Sequence, residues 1–322
     1  MIAPLAVLTV VVLGASTHTD TTFSVKPGSR LELSNFAGGI AVETWARNAV
    51  RVEAQHSPRA GVRIDDQSPT ISIEIKHWRG IPTTVDYHLT VPRWMPLNLS
   101  GVNTEISVLG TEAEVDAQTV QGDVSITGGV RKVAAGSVEG AVKVSGARGK
   151  VECNSVNAGI QIENVTGAIA ASTVNGEIVF EGVDSDDVEA STINGGVDFA
   201  GLIKDGGSYR FSTHNGSVVV TVPERANATV SVSTFSGEFS SAFPVQLNMP
   251  RRGKAYSFTL GNGSARLELE SFQGEIQLRR PGDADGKSGS GYQYQYQQHK
   301  ETQPQKRKRK NAADPADSHD QP

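Results

Sequence analysis

The sequence predicts an all-β fold: a single-stranded parallel β-helix, or β-solenoid, with about 18–21 residues per coil. Three observations predict it. One pattern returns many times at a nearly fixed step, which is the mark of stacked repeats. Each pass alternates apolar and polar residues with period two, which argues strand. The same residue type returns at the same place in successive passes, which argues coils lying in parallel register rather than a hairpin meander.

The passes are read in order. "LELSNFAGGIAV" at Leu31 is an outlying copy, and "LNLSGVNTEISV" at Leu97 opens the regular series. Starts at Val115, Val133, Val151 and Ile169 follow at 18-residue steps, and Val188 comes 19 later. Tyr209 and Val230 continue with 21-residue steps, each coil expected on the one before, and Leu267 follows an insertion. Gly and β-branched residues punctuate every pass, so a helix reading fails. Each pass turns at a glycine, and the pairs Asn175-Gly176, Asn194-Gly195 and Asn215-Gly216 are expected to supply backbone with positive φ there. Coils of this length occur in both hands, so the spacing sets no handedness.

Three columns emerge. Thr119, Ser137, Ser155, Thr173, Thr192, Thr213, Thr234 and Ser271 form a hydroxyl column beside the turn, able to bond the turn backbone or one another. Two residues earlier stand Ala117, Ala135, Cys153, Ala171 and Ala190, widening to Phe211, Val232 and Leu269, so the cross-section should fatten toward the C-terminus. One residue later stand Val120, Val138, Val156, Val174, Ile193, His214, Phe235 and Phe272. Cys153, the single cysteine, reads as a small buried hydrophobe, and one cysteine cannot build a disulfide framework or a cysteine metal site within one polypeptide.

Residues 43–96 leave the regular spacing but stay β-rich, forming either the first coils with longer turns or a small sheet over the open N-terminal end. "LTVPRWMPLNLSG" around Pro92 is similar to "VTVPERANATVSVSTFSG" around Pro223, as if one longer connection were used twice. Residues 1–16 are apolar through Leu13 and end in small residues, reading as a secretory signal too short for an ordinary membrane span. The solenoid is expected over residues 20–280 as one domain, followed by a disordered polar tail over 281–322 with the basic run Lys306, Arg307, Lys308, Arg309, Lys310. That run suits anionic envelope polymer, or simply solubilises the tail. A net charge of −5 implies no general attraction to nucleic acid.

The best cluster of chemistry-bearing residues is Glu163 above Glu181, followed by Asp184, Asp186 and Asp187. Adjacent carboxylates could hold calcium or share a catalytic proton, and the plain alternative is a solvated turn. The histidines show no zinc-ligand spacing; His214, in an apolar column, is expected to pack or to bond the turn. No nucleophile elbow appears. Trp45, His77-Trp78 and Trp94 are expected to fill a cap or to stack on sugar rings.

The repeated "STVNGEI" at Ser172, the paired Val-Pro connections and the apolar N-terminus together resemble the bacterial putative-adhesin domains of unknown function, over roughly Leu31 to Leu278. The resemblance implies a β-solenoid in the cell envelope with no established catalytic centre; some relatives take part in envelope-stress sensing. The polar tail departs from it. The reading is a non-catalytic, exported, adhesin-like solenoid that needs no cofactor. It would bind envelope polymer, glycan or protein through its repeated faces, with self-association through the solenoid ends as a further route and no transmembrane anchor. A polysaccharide-acting enzyme and an envelope-stress sensor are the alternatives.

Overall fold

Period-two alternation buries one side of every short strand, and the protein satisfies this by winding strands into coils. The computed structural model describes residues 17–58, 60–66, 69–77, 83–244 and 254–283. The expected signal, Trp78 and the basic run Lys306–Lys310 lie outside the described residues.

In sequence order the first elements are β1 (Thr17–Ser24), β2 (Arg30–Trp45), β3 (Ala49–His56), β4 (Ala60–Asp65), β5 (Thr70–His77), β6 (Val85–Pro92) and β7 (Leu97–Thr111). The regular coils then each contribute two strands. These are β8 (Val115–Thr119) with β9 (Val124–Gly128), β10 (Val130–Ser137) with β11 (Val142–Ser145), and β12 (Arg148–Asn154) with β13 (Ile160–Glu163). They continue with β14 (Ile169–Ser172) and β15 (Ile178–Val183), β16 (Asp187–Asn194) and β17 (Val197–Gly201), and β18 (Ser208–Asn215) and β19 (Val218–Thr221). The last elements are β20 (Ala228–Thr234), β21 (Phe239–Ser241), β22 (Lys254–Leu260), β23 (Ala265–Gln273) and β24 (Ile276–Arg279).

Successive coils pair in parallel and in register. Val115, Val133, Val151, Ile169, Val188 and Tyr209 stack as one column, and Val124, Val142, Ile160, Ile178, Val197 and Val218 as another. Both columns are fully buried. A third, shorter side is marked by single bridges from Arg148 to Thr166 and from Thr166 to Asp184. The core widens where expected: Phe180, Phe199, Tyr209 and Phe211 fill it with ring centroids 5.0–6.1 Å apart.

Stacking order departs from sequence order at both ends. β2 lies between the coil of β5 and β6 and the coil of β7. β23 and β24 lie between the coil of β18 and β19 and the coil of β20 and β21. The pass at Val230 therefore rests on Leu267, not on Tyr209 as the sequence order suggests. The repeated Val-Pro connection explains both departures. At each place the backbone must pass over one coil, about 9.6 Å rather than 4.8 Å. Proline ends the strand by lacking an N–H, and a turn follows, with Met95 N–H donating to Pro92 O and Ala226 N–H to Pro223 O, both at 3.0 Å. Antiparallel strands then cover the outermost parallel ones, β4 on β5, β3 on β6 and β22 on β20, and β1 extends β3. Residues 43–96 thus supply both an extra coil and its cover. The added strands cover the ends of the stack, as a solenoid core requires. Trp45 and Trp94 belong to this region, their indole N–H groups held by Ala49 O at 2.7 Å and Asn48 Oδ1 at 3.0 Å.

Seven of the eight hydroxyls in the column make one repeated bond, and the eighth, Thr234, accepts the Gly237 N–H at 2.9 Å. Thr119 donates to Thr104 O, Ser137 to Gly122 O, Ser155 to Gly140 O and Thr173 to Ala158 O. Thr192 donates to Gly176 O, Thr213 to Gly195 O and Ser271 to Gly216 O, and all seven bonds measure 2.8–3.2 Å. These hydroxyls bond the turn of the adjacent coil, not each other. The glycines serve close approach: a Cβ on Gly176 would overlap Ala158 O, one on Gly195 would overlap Gly176 O, and one on Gly216 would overlap Gly195 O. This corrects the expectation of positive φ, because none of Asn175, Gly176, Asn194, Gly195, Asn215 or Gly216 adopts it.

Two outcomes follow from this packing. Thr192→Val keeps the shape but leaves Gly176 O unpartnered, and it should lower stability by about 1–2 kcal/mol. Gly195→Ala must push two coils apart, and it should cost about 1–3 kcal/mol or more; thermal and urea melts of both variants against the parent check the pair. Cys153 is wholly buried between Ala135 and Ala171, and burial pushes its thiol up to about 12. It should resist alkylation at neutral pH until denaturant unfolds the coils, as a thiol-labelling titration would report.

Candidate functional site

The hydroxyl column fixes the corner from inside, so the residue after it projects outward. That residue is apolar in almost every coil. Phe36 and Val102 lie between the register pairs Asn35–Gly101 and Ala37–Asn103, and Val120, Val138, Val156, Val174, Ile193, His214, Phe272 and Phe235 continue the line. Exposure runs from 37% at Val156 to 72% at Phe235, with Val174 half-buried. The result is an exposed apolar ridge along one corner, about 40 Å long at roughly 4.8 Å per coil. Scattered exposed apolar residues are ordinary, whereas a contiguous line of them marks an interaction surface.

From Val102 onward the next residue in each coil is polar and forms a second line beside the ridge; after Phe36 it is Ala37. Asn175 Nδ2 donates to Asn157 Oδ1 at 2.9 Å, Asn194 Nδ2 to Asn175 Oδ1 at 2.8 Å, and Asn215 Nδ2 to Asn194 Oδ1 at 2.9 Å. Gln121 Nε2 donates likewise to Glu139 Oε2 at 2.8 Å. The backbone locks the two lines together: the N–H groups of Gln121, Glu139, Asn157, Asn175 and Asn194 donate to the carbonyls of Val102, Val120, Val138, Val156 and Val174. Asn175, Asn194 and Asn215 of the Asn-Gly pairs are therefore ladder residues.

Toward the C-terminal end the ridge becomes aromatic. His214 stacks on Phe272 at 4.6 Å with 7° between the planes, and Phe272 stacks on Phe235 at 4.8 Å with 2°. His214 is exposed and packs on a ring rather than on the turn. Beside this stack is an open groove of about 640 Å³, with His214, Phe235 and Phe272 on one side and Ser212, Ser233 and Glu270 along it. Ser212, Glu270 and Ser233 are register neighbours across three adjacent strands, so a polar row runs parallel to the aromatic one. In the sequence the ridge column is visible, but its outward direction is not, because alternation alone gives the corner no side.

The acidic residues lie elsewhere. Glu163 and Glu181 are brought together as register partners. Glu163 accepts from Lys143 Nζ at 2.8 Å and from Gln161 Nε2 at 2.6 Å. Asp184 pairs with Lys204 Nζ at 2.6 Å, and that carboxylate raises the Lys204 ammonium pKa. Asp186 and Asp187 are exposed; Asp186 O accepts the Ser208 N–H, and the Asp187 N–H donates to Ser185 Oγ at 3.0 Å. Ser185 O in turn accepts the Tyr209 hydroxyl at 2.7 Å from within the core. The turn is thus braced from inside and balanced by lysine outside. Among the described residues, the grouping close enough to hold a cation is His18, Asp20 and Glu53. Arg51 engages it, reaching Asp20 at 2.8 Å and Glu53 at 2.9 Å and holding the Asp20 carboxyl below its usual range.

No helix among the described residues is long and apolar enough to cross a membrane. A search of curated proteins returns no match. Solved structures similar to this protein include a putative adhesin from Bacteroides fragilis, 11% identical, covering 82% of this chain and 98% of that one with a TM-score of 0.42. A putative adhesin from Parabacteroides distasonis is 12% identical over 82% and 98% of the two proteins, with a TM-score of 0.29. A putative cell adhesion protein from Clostridium sporogenes is 10% identical over 82% and 100%, with a TM-score of 0.24. The family model described as Toastrack DUF4097 matches residues 30–279, from the start of β2 to the end of β24. The chain belongs to the Toastrack DUF4097 family.

Proposed function

We propose that this protein is a non-catalytic, adhesin-like binding module of the bacterial cell envelope, exported by its N-terminal segment. It engages an extended envelope polymer, glycan or protein along the corner ridge. The observation that carries this reading is the ridge itself: apolar side chains exposed at one corner from Phe36 to Phe235, edged by the amide ladder. A fold that buries its other apolar columns so completely gains nothing in stability from exposing this one. A partner that covers it would recover that apolar area, at about 25 cal/mol per Å².

The chemistry of the ridge suits an elongated ligand. Each coil offers the same small contact, and weak contacts multiply when they share one rigid scaffold. The aromatic end with its groove is where contact is strongest, since exposed aromatic rings dominate interface energetics. The basic run Lys306–Lys310 would add a separate, salt-sensitive attraction to anionic polymer.

Co-sedimentation of the full-length protein with isolated cell envelopes tests the reading. The double change Phe235→Ser and Phe272→Ser should weaken binding at least about tenfold, equivalent to about 1.4 kcal/mol, with little change in melting temperature because both side chains are exposed. Replacing the five basic tail residues with glutamine should lower binding only at low salt. Full binding by the double variant at high salt would remove the ridge from the account.

A further inference from the structure

Four Asn-Gly pairs occur in the sequence: Asn175-Gly176, Asn194-Gly195, Asn215-Gly216 and Asn262-Gly263. In such a pair the backbone nitrogen of glycine can attack Cγ of the asparagine, with no Cβ on the glycine to hinder it, and asparagine is accordingly a thermolabile residue. A bond forms from the glycine nitrogen to Asn Cγ, the Cγ–Nδ2 bond breaks, and the amide nitrogen leaves as ammonia, giving a cyclic imide. Water then opens the imide at either carbonyl to aspartate or isoaspartate. The net change is one water taken up and one ammonia lost, with no oxidant or reductant.

The fold treats the four pairs differently. Three sit in the ladder, where Asn175, Asn194 and Asn215 each donate to the asparagine of the neighbouring coil at 2.8–2.9 Å. Their glycines are wedged against the neighbouring turn, where even a Cβ finds no room. The Gly195 N–H is bonded to Asn215 O at 3.2 Å and the Gly216 N–H to Gln273 O at 2.9 Å. For attack, Asn Cγ must leave the ladder, and at Gly195 and Gly216 the glycine nitrogen must also leave the neighbouring coil.

Asn262 occupies the exposed turn between β22 and β23, flanked by Gly261 and Gly263 with φ of 56° and 76°. Its side-chain contact is local, Oδ1 accepting the Ser264 N–H at 3.0 Å, and the Gly263 N–H donates within the turn to Leu260 O at 3.1 Å; a Cβ on Gly263 would meet the side chains of Thr259 and Thr229 rather than the backbone of a neighbouring turn. We propose that Asn262-Gly263 is a site of spontaneous deamidation and that the coil stacking protects the three ladder pairs from the same reaction.

The site is placed to matter. Asn262 N–H donates to Asn227 Oδ1 at 3.1 Å, Asn227 Nδ2 donates to Asp205 Oδ1 at 3.0 Å, and Ser264 Oγ donates to the same oxygen at 2.6 Å. The bonds from Ser264 and Asn227 keep the Asp205 carboxyl below its usual range, so it is charged at neutral pH. A new carboxylate at position 262 stands one amide away from it. Isoaspartate also lengthens the backbone of the turn that joins β22 to β23, and β22 is the strand covering the outermost β20. Deamidation therefore loosens that end of the solenoid.

The full-length protein, incubated in warm, mildly alkaline buffer, would be digested and mapped by mass spectrometry with isoaspartate detection. In the folded protein Asn262 should convert at least about tenfold faster than Asn175, Asn194 or Asn215, and in denaturant the four rates should converge to within about threefold. Equal rates in the folded protein, or ladder sites that stay slow in denaturant, would overturn the proposal. Asn175→Ala removes the acceptor of Asn194 and should speed conversion at Asn194; an unchanged rate in a variant that still folds would overturn the protective role of the ladder. In Asn262→Asp, hydrogen exchange along β22 should rise about threefold or more, and unaltered exchange would remove the coupling to the end of the solenoid.

Discussion

Everything in this solenoid hangs on one inter-coil hydrogen bond, the hydroxyl of a buried serine or threonine donating to the turn carbonyl of the adjacent coil. A corner is the weak point of a coil, because the backbone bends there and the strand ladder is interrupted. A buried carbonyl left unpaired costs about 1–3 kcal/mol, and the penalty would recur at every turn. The repeated hydroxyl removes it. The bond is possible only if turns approach closely, hence glycine at Gly122, Gly140, Gly176, Gly195, Gly216 and Gly274. Where alanine stands instead, at Ala158, its carbonyl still accepts from Thr173. At the N-terminal end the same job is done with other chemistry: Gly101 takes the hydroxyl position, Thr104 fills the space beside it, and Asn35 reaches across to Val85 O at 2.8 Å.

Fixing the corner from inside has a consequence on the outside. The residue after the hydroxyl cannot turn inward, since the interior there is already occupied by a polar pair and a glycine backbone. Valine, isoleucine and phenylalanine at that place are therefore not core residues that missed the core. The amide line is the next step of the same logic. Polar side chains one residue further on lie at the coil spacing, near enough for each amide to bond the next, and identical amides repeated at that spacing form a ladder without any change of rotamer from coil to coil.

Much of this was legible in the sequence. The 18-residue step, the columns and the widening from Ala190 to Phe211 follow from like residues recurring at like places, and each is present. The hydroxyl column was legible as a column but not as a bond, because its acceptor belongs to another coil. Asn-Gly usually signals a turn with positive φ, as at Gly263, whereas at Gly176, Gly195 and Gly216 it marks closeness between backbones, for a reason that lies in the adjacent coil. The order of coils at each end was not legible. Strand pattern says nothing about which neighbour a coil chooses, and only the two similar Val-Pro connections hinted at a step of double length. The side on which Val120 and its equivalents lie was hidden for a different reason, since a residue at a corner belongs to neither phase of the alternation.

The ridge and the acidic turn near Glu163 differ in what has been done with their chemistry. At the acidic turn, charge is answered by charge: Lys143 holds Glu163 and Lys204 holds Asp184, and Tyr209 and Ser185 stiffen the backbone beneath. Along the ridge, Asn175 and Asn194 each donate to one neighbouring amide and accept from another, while the apolar column is left uncovered. Phe235, the most exposed of the line, stacks on Phe272 and presents the rest of its ring to solvent. On the proposed function, the partner would cover the bare apolar column beside the amide line. Contact of that kind strengthens by adding coils rather than by improving any one of them, so a long, uniform corner is of more use to it than a deep pocket.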